Sequence, residues 1–203
     1  MSDIDFEVFK EHFPKEWISS ISTMYMEVAK KQTNHEYFEG AGFYANRTND
    51  IVTDSMIEWT DRILFPPNIA ILDFVIKNID LFSNKRIIDN GTGIGILLIF
   101  LDKLGIDCIG YDNGQQVGST YGELIKKYNE KFGKNIQITK TAPLFPNENE
   151  VVTSSGIWCN HIQNAKMYIL DSKYIDKCHI GSPSDYNLTC VYPNQINIYE
   201  KID

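Results

Sequence analysis

The chain has 203 residues, a formal net charge of -8, 43% apolar residues and 23% charged residues, which is ordinary globular usage at a length suited to one domain with a small appendage. No apolar run approaches the roughly 18 residues of a membrane span, and the acidic N-terminus (MSDIDFEVFK) lacks a signal-peptide core. The acidic balance argues against broad contact with a phosphate backbone, and the scattered cysteines Cys108, Cys159, Cys178 and Cys190 form no CxxC pair or zinc-type spacing.

These features predict a cytoplasmic protein with reduced thiols, no bound metal, no membrane contact and no nucleic-acid partner.

In chain order, residues 14–31 carry Trp17, Ile21, Met24 and Val28 at helical spacing, and Pro14 suits the first turn of that helix. Residues 33–50 lose the pattern. They are rich in Gly, Asn and aromatics and predict a loop. A short helix over 53–64 is expected to stop at Pro66-Pro67. Residues 68–82 are helical again, with Ile71, Leu72, Val75, Ile76 and Ile79 on one stripe.

From there strands and helices alternate: a strand over 85–89, a glycine turn, a helix over 96–104, a strand over 107–112, a helix over 117–132 ending at Gly133, and a strand over 135–140. Alternation of this kind means right-handed crossovers and a mostly parallel sheet. A fourth strand begins at 150–153, a short helix is expected at 158–164, and a fifth strand covers 166–171. The segments 187–192 and 196–201 are joined only by a turn at Pro193-Asn194, so they have to be antiparallel. The division expected is a helical cap or lid over residues 1–65 and a main domain over 66–203.

The chemistry centres on Ile87-Ile88-Asp89-Asn90-Gly91-Thr92-Gly93-Ile94-Gly95. A strand runs into three glycines and then into a helix, where tight turning and close ligand approach favour glycine. The helix start adds unpaired N–H groups and a positive dipole end. A dinucleotide fingerprint needs glycine at position 96, which is Ile96, and no phosphate-loop pattern is present. An acid stands two residues before the first glycine. That anion disfavours a pyrophosphate and suits a ligand carrying an amino group and a sulfonium. Asp112 ends the second strand 23 residues later, flanked by Tyr111 and Asn113, where a carboxylate can accept from ribose hydroxyls. The blander readings are a glycine turn with no ligand and a solvated acid at a strand end.

The motifs IIDNGTGIG and IGYD, the strand-helix order and the final hairpin LTCVYPNQINIYEK resemble the class I S-adenosylmethionine-dependent methyltransferases over residues 68–201. The resemblance implies a Rossmann-like α/β fold with seven strands in the order 3-2-1-4-5-7-6, the last antiparallel. It implies S-adenosylmethionine as cofactor, S-adenosylhomocysteine as product, and cofactor contacts from Asp89, Gly91, Thr92, Gly93, Gly95, Asp112, Asn113, Thr141 and Ala142. Two departures stand out. The third strand is followed by Lys140-Thr141-Ala142-Pro143 rather than an acid, and the fourth by Thr153-Ser154-Ser155-Gly156 rather than the Pro-Pro-aromatic motif of amino-group methylases.

The function expected is direct methyl transfer to a small-molecule acceptor. His161, after the fourth strand, is the first candidate for the proton-accepting base, with Asp171 and Tyr44 behind it. The bland reading of His161 is a satisfied polar residue near the core. The aromatics Tyr37, Phe38, Phe43 and Tyr44, with Gly40 and Gly42, read either as a lid or as core plugs under a loop. The alternatives are a non-catalytic cofactor binder or scaffold and a methyltransferase acting on a protein or peptide.

Overall fold

Apolar residues recurring three and four apart make the described segments before residue 83 helical. The computed structural model describes residues 4–31, 52–114, 120–141, 146–154, 165–171, 185–192 and 196–202, with the backbone alone for Asp171, Cys190, Val191 and Tyr192. Helix α1 spans Phe6–His12, and Asp5 caps it by accepting from the Val8 N–H at 3.2 Å. Helix α2, Lys15–Ala29, buries Ile18, Ile21, Met24, Tyr25 and Val28 along one stripe.

Helix α3, Asp54–Trp59, stops earlier than its sequence pattern suggests. Asp61 and Arg62 follow it at φ 51° and 60°, in the left-handed region that ends a helix. The side chain of Lys15 holds this turn. Its ammonium donates to the Glu58 and Trp59 carbonyls and pairs with Asp61 at 2.5 Å.

Helix α4 spans Pro66–Lys77, so the Pro-Pro pair opens a helix as well as closing the previous segment. The single helix expected over 68–82 is broken at Asn78 (φ -124°, ψ 33°), which separates α4 from α5, Ile79–Phe82. The Asn78 amide donates to the Phe74 carbonyl at 2.8 Å, a local bond that competes with helix continuation.

The rest alternates as its sequence predicts: β1 Arg86–Asn90, α6 Ile96–Lys103, β2 Asp107–Tyr111, α7 Glu123–Phe132, β3 Gln137–Thr139, β4 Glu150–Ser154, β5 Met167–Asp171, β6 Tyr186–Tyr192 and β7 Ile196–Lys201. Helix α7 begins later than expected because Gly122, at φ 70°, precedes it, and it closes on Gly133 at φ 65°. All seven strands form one sheet in the order β3-β2-β1-β4-β5-β7-β6. Strands β1 to β5 pair in parallel, and β7 runs antiparallel to both β5 and β6. From β1 the chain goes first to β2 on one side and later to β4 on the other, which opens a crevice at the C-terminal ends of these strands.

The core lies on both faces of this sheet. Helix α6 is buried from Ile96 to Leu101. It is covered on its outer side by the N-terminal helices: the Phe13 and Trp17 rings lie 4.9 and 5.0 Å from that of Phe100. Helix α2 is also tied to α7, by Lys127–Glu27 at 2.9 Å, Lys131–Ser20 at 2.6 Å and the pair Lys31–Glu123. Ile18, Ile21 and Val28 belong to the same apolar cluster as α6 and the sheet, so the core runs without a gap across residue 65. The loop expected over 33–50 and the helix expected over 158–164 lie outside the described residues. Among the described residues, no helix is long and apolar enough to cross a membrane.

Candidate functional site

The turn from β1 into α6 is built by glycines with left-handed backbones: Gly91 at φ 76°, Gly93 at 58° and Gly95 at 88°. The Gly91 and Thr92 N–H groups both donate to the Tyr111 carbonyl, at 2.8 and 3.0 Å, fastening the turn to the end of β2. Gly95 serves packing. A Cβ there would lie 2.6 Å from Ile125 Cγ1 and 3.0 Å from Ile138 Cδ1, so only a glycine lets α6 begin against α7 and β3. Gly110 of β2, inside the IGYD motif, plays a matching part: a Cβ there would meet Thr92 Cγ2 at 2.6 Å and Leu98 Cδ1 at 2.7 Å.

Asp89 sits near the end of β1 and is 2% exposed. The Thr153 hydroxyl, from the partnered position on β4, donates to its Oδ1 at 3.1 Å. Burial pushes the Asp89 carboxyl up to about 6. The hydroxyls of Thr92 and Thr153 oppose that rise and the charge of Asp112 adds to it. The Thr92 hydroxyl is close enough to act on the carboxyl but falls outside hydrogen-bond geometry. It is left as a buried oxygen with no partner among the described residues.

Asp112 is also buried. Its Oδ2 accepts from the Gly93 N–H at 2.9 Å and its Oδ1 from the Gly114 N–H at 2.7 Å. Its own N–H donates to the Thr139 carbonyl at 3.1 Å, which fixes it at the junction of β2 and β3. One carboxylate thus braces the glycine turn and the turn after β2. With about four lone-pair sites on a carboxylate, these two contacts among the described residues leave room for a ligand's hydroxyls.

The other expected residues divide clearly. Asn113 is exposed on the Asp112 turn. Thr141 is exposed just past β3, its N–H donating to the Thr139 hydroxyl at 3.2 Å. The backbone of Asp171 ends β5 and pairs with Ile196 of β7, two strands away from β1. His161, Tyr44 and Ala142 lie outside the described residues. Asp89, Gly91, Thr92, Gly93 and Asp112 are therefore gathered where β1 and β2 end. Thr153 was missed because its role depends on the β1–β4 register, which places it opposite Asp89. Among the described residues, no three His, Cys, Asp or Glu side chains converge as a metal site would require.

No family model matches the chain, and no curated protein matches it in sequence. Solved structures show a partial likeness to it. A tRNA uracil methyltransferase of Pyrococcus abyssi, in complex with S-adenosyl-L-homocysteine, is 12% identical over 66% of this chain and 37% of its own, with a TM-score of 0.38. This chain therefore spans well under half the length of that protein. An rRNA methylase from Streptococcus thermophilus is 12% identical over 68% of this chain and 97% of its own, with a TM-score of 0.39. A mutant of MtNAS in complex with S-adenosylmethionine is 12% identical over 93% of this chain and 78% of its own, with a TM-score of 0.44.

At these identities the likeness is one of fold. The seven-stranded sheet with its antiparallel seventh strand has the strand order that the resemblance to the class I, Rossmann-like methyltransferases implies. Two of these structures are methylases of RNA, and the expectation of no nucleic-acid partner is dropped.

Proposed function

We propose that the chain binds S-adenosylmethionine at the turn between β1 and α6 and transfers the methyl group to an acceptor. One observation carries this reading: two buried carboxylates, Asp89 and Asp112, end adjacent parallel strands on either side of a three-glycine turn. The residues fit such a ligand. Asp89 offers a negative charge to an ammonium, Asp112 offers lone pairs to ribose hydroxyls, and the Thr92 hydroxyl, buried beside Asp89, offers a further polar contact. A pyrophosphate would meet two carboxylates and be repelled.

When bound, the cofactor supplies a methyl group on a positively charged sulfur, a leaving group that needs no further activation. The part left to this chain is to orient the partners and exclude water. Loss of a proton from the acceptor is assigned to His161, which follows the end of β4 by seven residues, with Asp171 and Tyr44 as further candidates. A small molecule is the acceptor we put forward, and RNA is the second arm of the test.

S-adenosylmethionine and S-adenosylhomocysteine should each raise the Tm of the full chain, whereas NAD and ATP should not. At a ligand concentration 100 times Kd the stabilisation is about 2.7 kcal/mol. Methyl-labelled cofactor incubated with cell metabolites and, separately, with total RNA then locates the label. Equal stabilisation by NAD would sink the cofactor reading. Binding with no label transfer would leave a binder rather than an enzyme, and label found only in RNA would replace the small-molecule acceptor.

A further inference from the structure

Tyr121 lies in the stretch between β2 and α7, outside every motif. Its hydroxyl oxygen is buried with no hydrogen-bond partner among the described residues. Leaving such a group unpaired forfeits its hydration with nothing in return, so native folds seldom do it without another occupant in play.

Three observations tie this phenol to Asp112. The ring closes on Gly114, where a Cβ would lie 3.1 Å from Tyr121 Cδ2. Gly114 is the residue whose N–H donates to Asp112 Oδ1 at 2.7 Å, so ring, turn and carboxylate form one packed unit. Burial pushes the phenol above its ordinary pKa, with the charges of Asp112 and Tyr111 adding to the rise, so it keeps its proton at neutral pH. In addition, Lys140, just past β3, holds its ammonium 5.2 Å from the ring centroid, which steadies the ring through its π face.

We propose that Tyr121 is a positioning residue for the nucleoside half of the ligand, donating its hydroxyl proton to a ribose oxygen whose own proton goes to Asp112. The inference rests on the cofactor reading above and deepens it. A ribose hydroxyl that donates to a carboxylate still has lone pairs to satisfy. A protonated phenol whose ring packs on the turn that holds that carboxylate is the matching donor. Ligand binding then pairs a hydroxyl that has no partner among the described residues.

The test is calorimetric titration of the full chain with S-adenosylhomocysteine and with methylthioadenosine, which keeps the nucleoside and lacks the amino-acid end. In Tyr121→Phe both affinities should fall by a similar factor, about 5- to 30-fold, the loss of one buried hydrogen bond. The ligand-free Tm should stay level or rise, because an orphaned buried hydroxyl has been removed. A purely structural tyrosine would show the opposite pair of results. Tyr121→Phe combined with Asp112→Asn should lose less than the product of the two single losses, since both act on one ribose hydroxyl. Affinities within twofold of wild type, or a loss confined to S-adenosylhomocysteine, would overturn the assignment. Failure of the wild-type chain to bind either ligand would overturn it together with the cofactor reading, a result distinct from a silent Tyr121→Phe.

Discussion

Asp89 is predicted to be a liability for the fold and an asset for the ligand. Its carboxyl is raised from 3.8 to about 6, chiefly by burial. The sign follows from linkage. Between these two values the folded chain keeps a proton that the unfolded chain has released, so stability falls as pH rises through that window and levels off above 6. A shift of this size is worth roughly 3 kcal/mol, at about 1.4 kcal/mol for each pH unit. Asp89→Asn removes the ionisation and still gives Thr153 an oxygen to donate to. The ligand-free variant should therefore exceed wild type by about 2–3 kcal/mol at pH 7.5 in urea denaturation, with the gap closing as pH falls toward 4. The same change should weaken S-adenosylhomocysteine, which loses its ammonium partner, and spare methylthioadenosine. In wild type, affinity for S-adenosylhomocysteine should rise as pH climbs through 6 and Asp89 ionises. The reasoning fails if the gap in stability between wild type and variant is flat with pH, or if Asp89→Asn is the less stable chain at pH 7.5. A buried carboxylate that weakens its own domain is more readily understood as part of a binding site than as part of a scaffold.

The parallel half of the sheet could be read from sequence because each of its strands is a short apolar run bounded by glycine, turn or helix signals, and crossover handedness leaves few ways to order them. The final hairpin was legible because so short a turn forbids a crossover. The N-terminal region was harder for a physical reason: its elements are set by partners far along the chain. The end of α3 depends on Lys15, 46 residues before Asp61, holding two residues in left-handed conformations. The seven residues of α1 are too few for a periodic signal, and their stability comes from Phe9 packing into the common core. In the site, the acids and glycines announced themselves by spacing, but spacing does not say what a glycine faces. Gly95 reads as part of a ligand loop, yet the constraint visible at it is the Ile125 side chain of a helix some thirty residues further on. Thr153 and Tyr121 carry no motif at all. The first emerges only from the register of β4 on β1, the second only from the fold of the turn after Asp112.

Two further predictions probe these packing claims. Gly95→Ala forces an alanine to φ 88° and sets its methyl 2.6 Å from Ile125 Cγ1. The backbone part costs about 1–2 kcal/mol and the overpacking about 1–3 kcal/mol, so urea denaturation should show a loss of about 2–5 kcal/mol. Trimming Ile125 to Ala in the same chain should recover the steric part as a favourable coupling, and a loss below about 1 kcal/mol would show that the α6–α7 contact yields easily. Removal of residues 1–50 is the sharper case, because a detachable cap would tolerate it and a shared core would not. Phe9, Phe13, Ile18, Ile21 and Val28 are each at most 1% exposed, and Phe13 packs directly on Phe100 of α6. Burial of a large apolar side chain contributes about 1.5–3 kcal/mol, so these five together account for roughly 7–15 kcal/mol, as much as the whole net stability of a typical domain. Their removal would also leave the outer side of α6 facing water, since that helix is buried from Ile96 to Leu101. The truncated chain should therefore lose its near-ultraviolet dichroism and its cooperative urea transition, with or without S-adenosylhomocysteine. A cooperative transition that shifts upward with the ligand would refute the shared core and restore the cap as a separable unit.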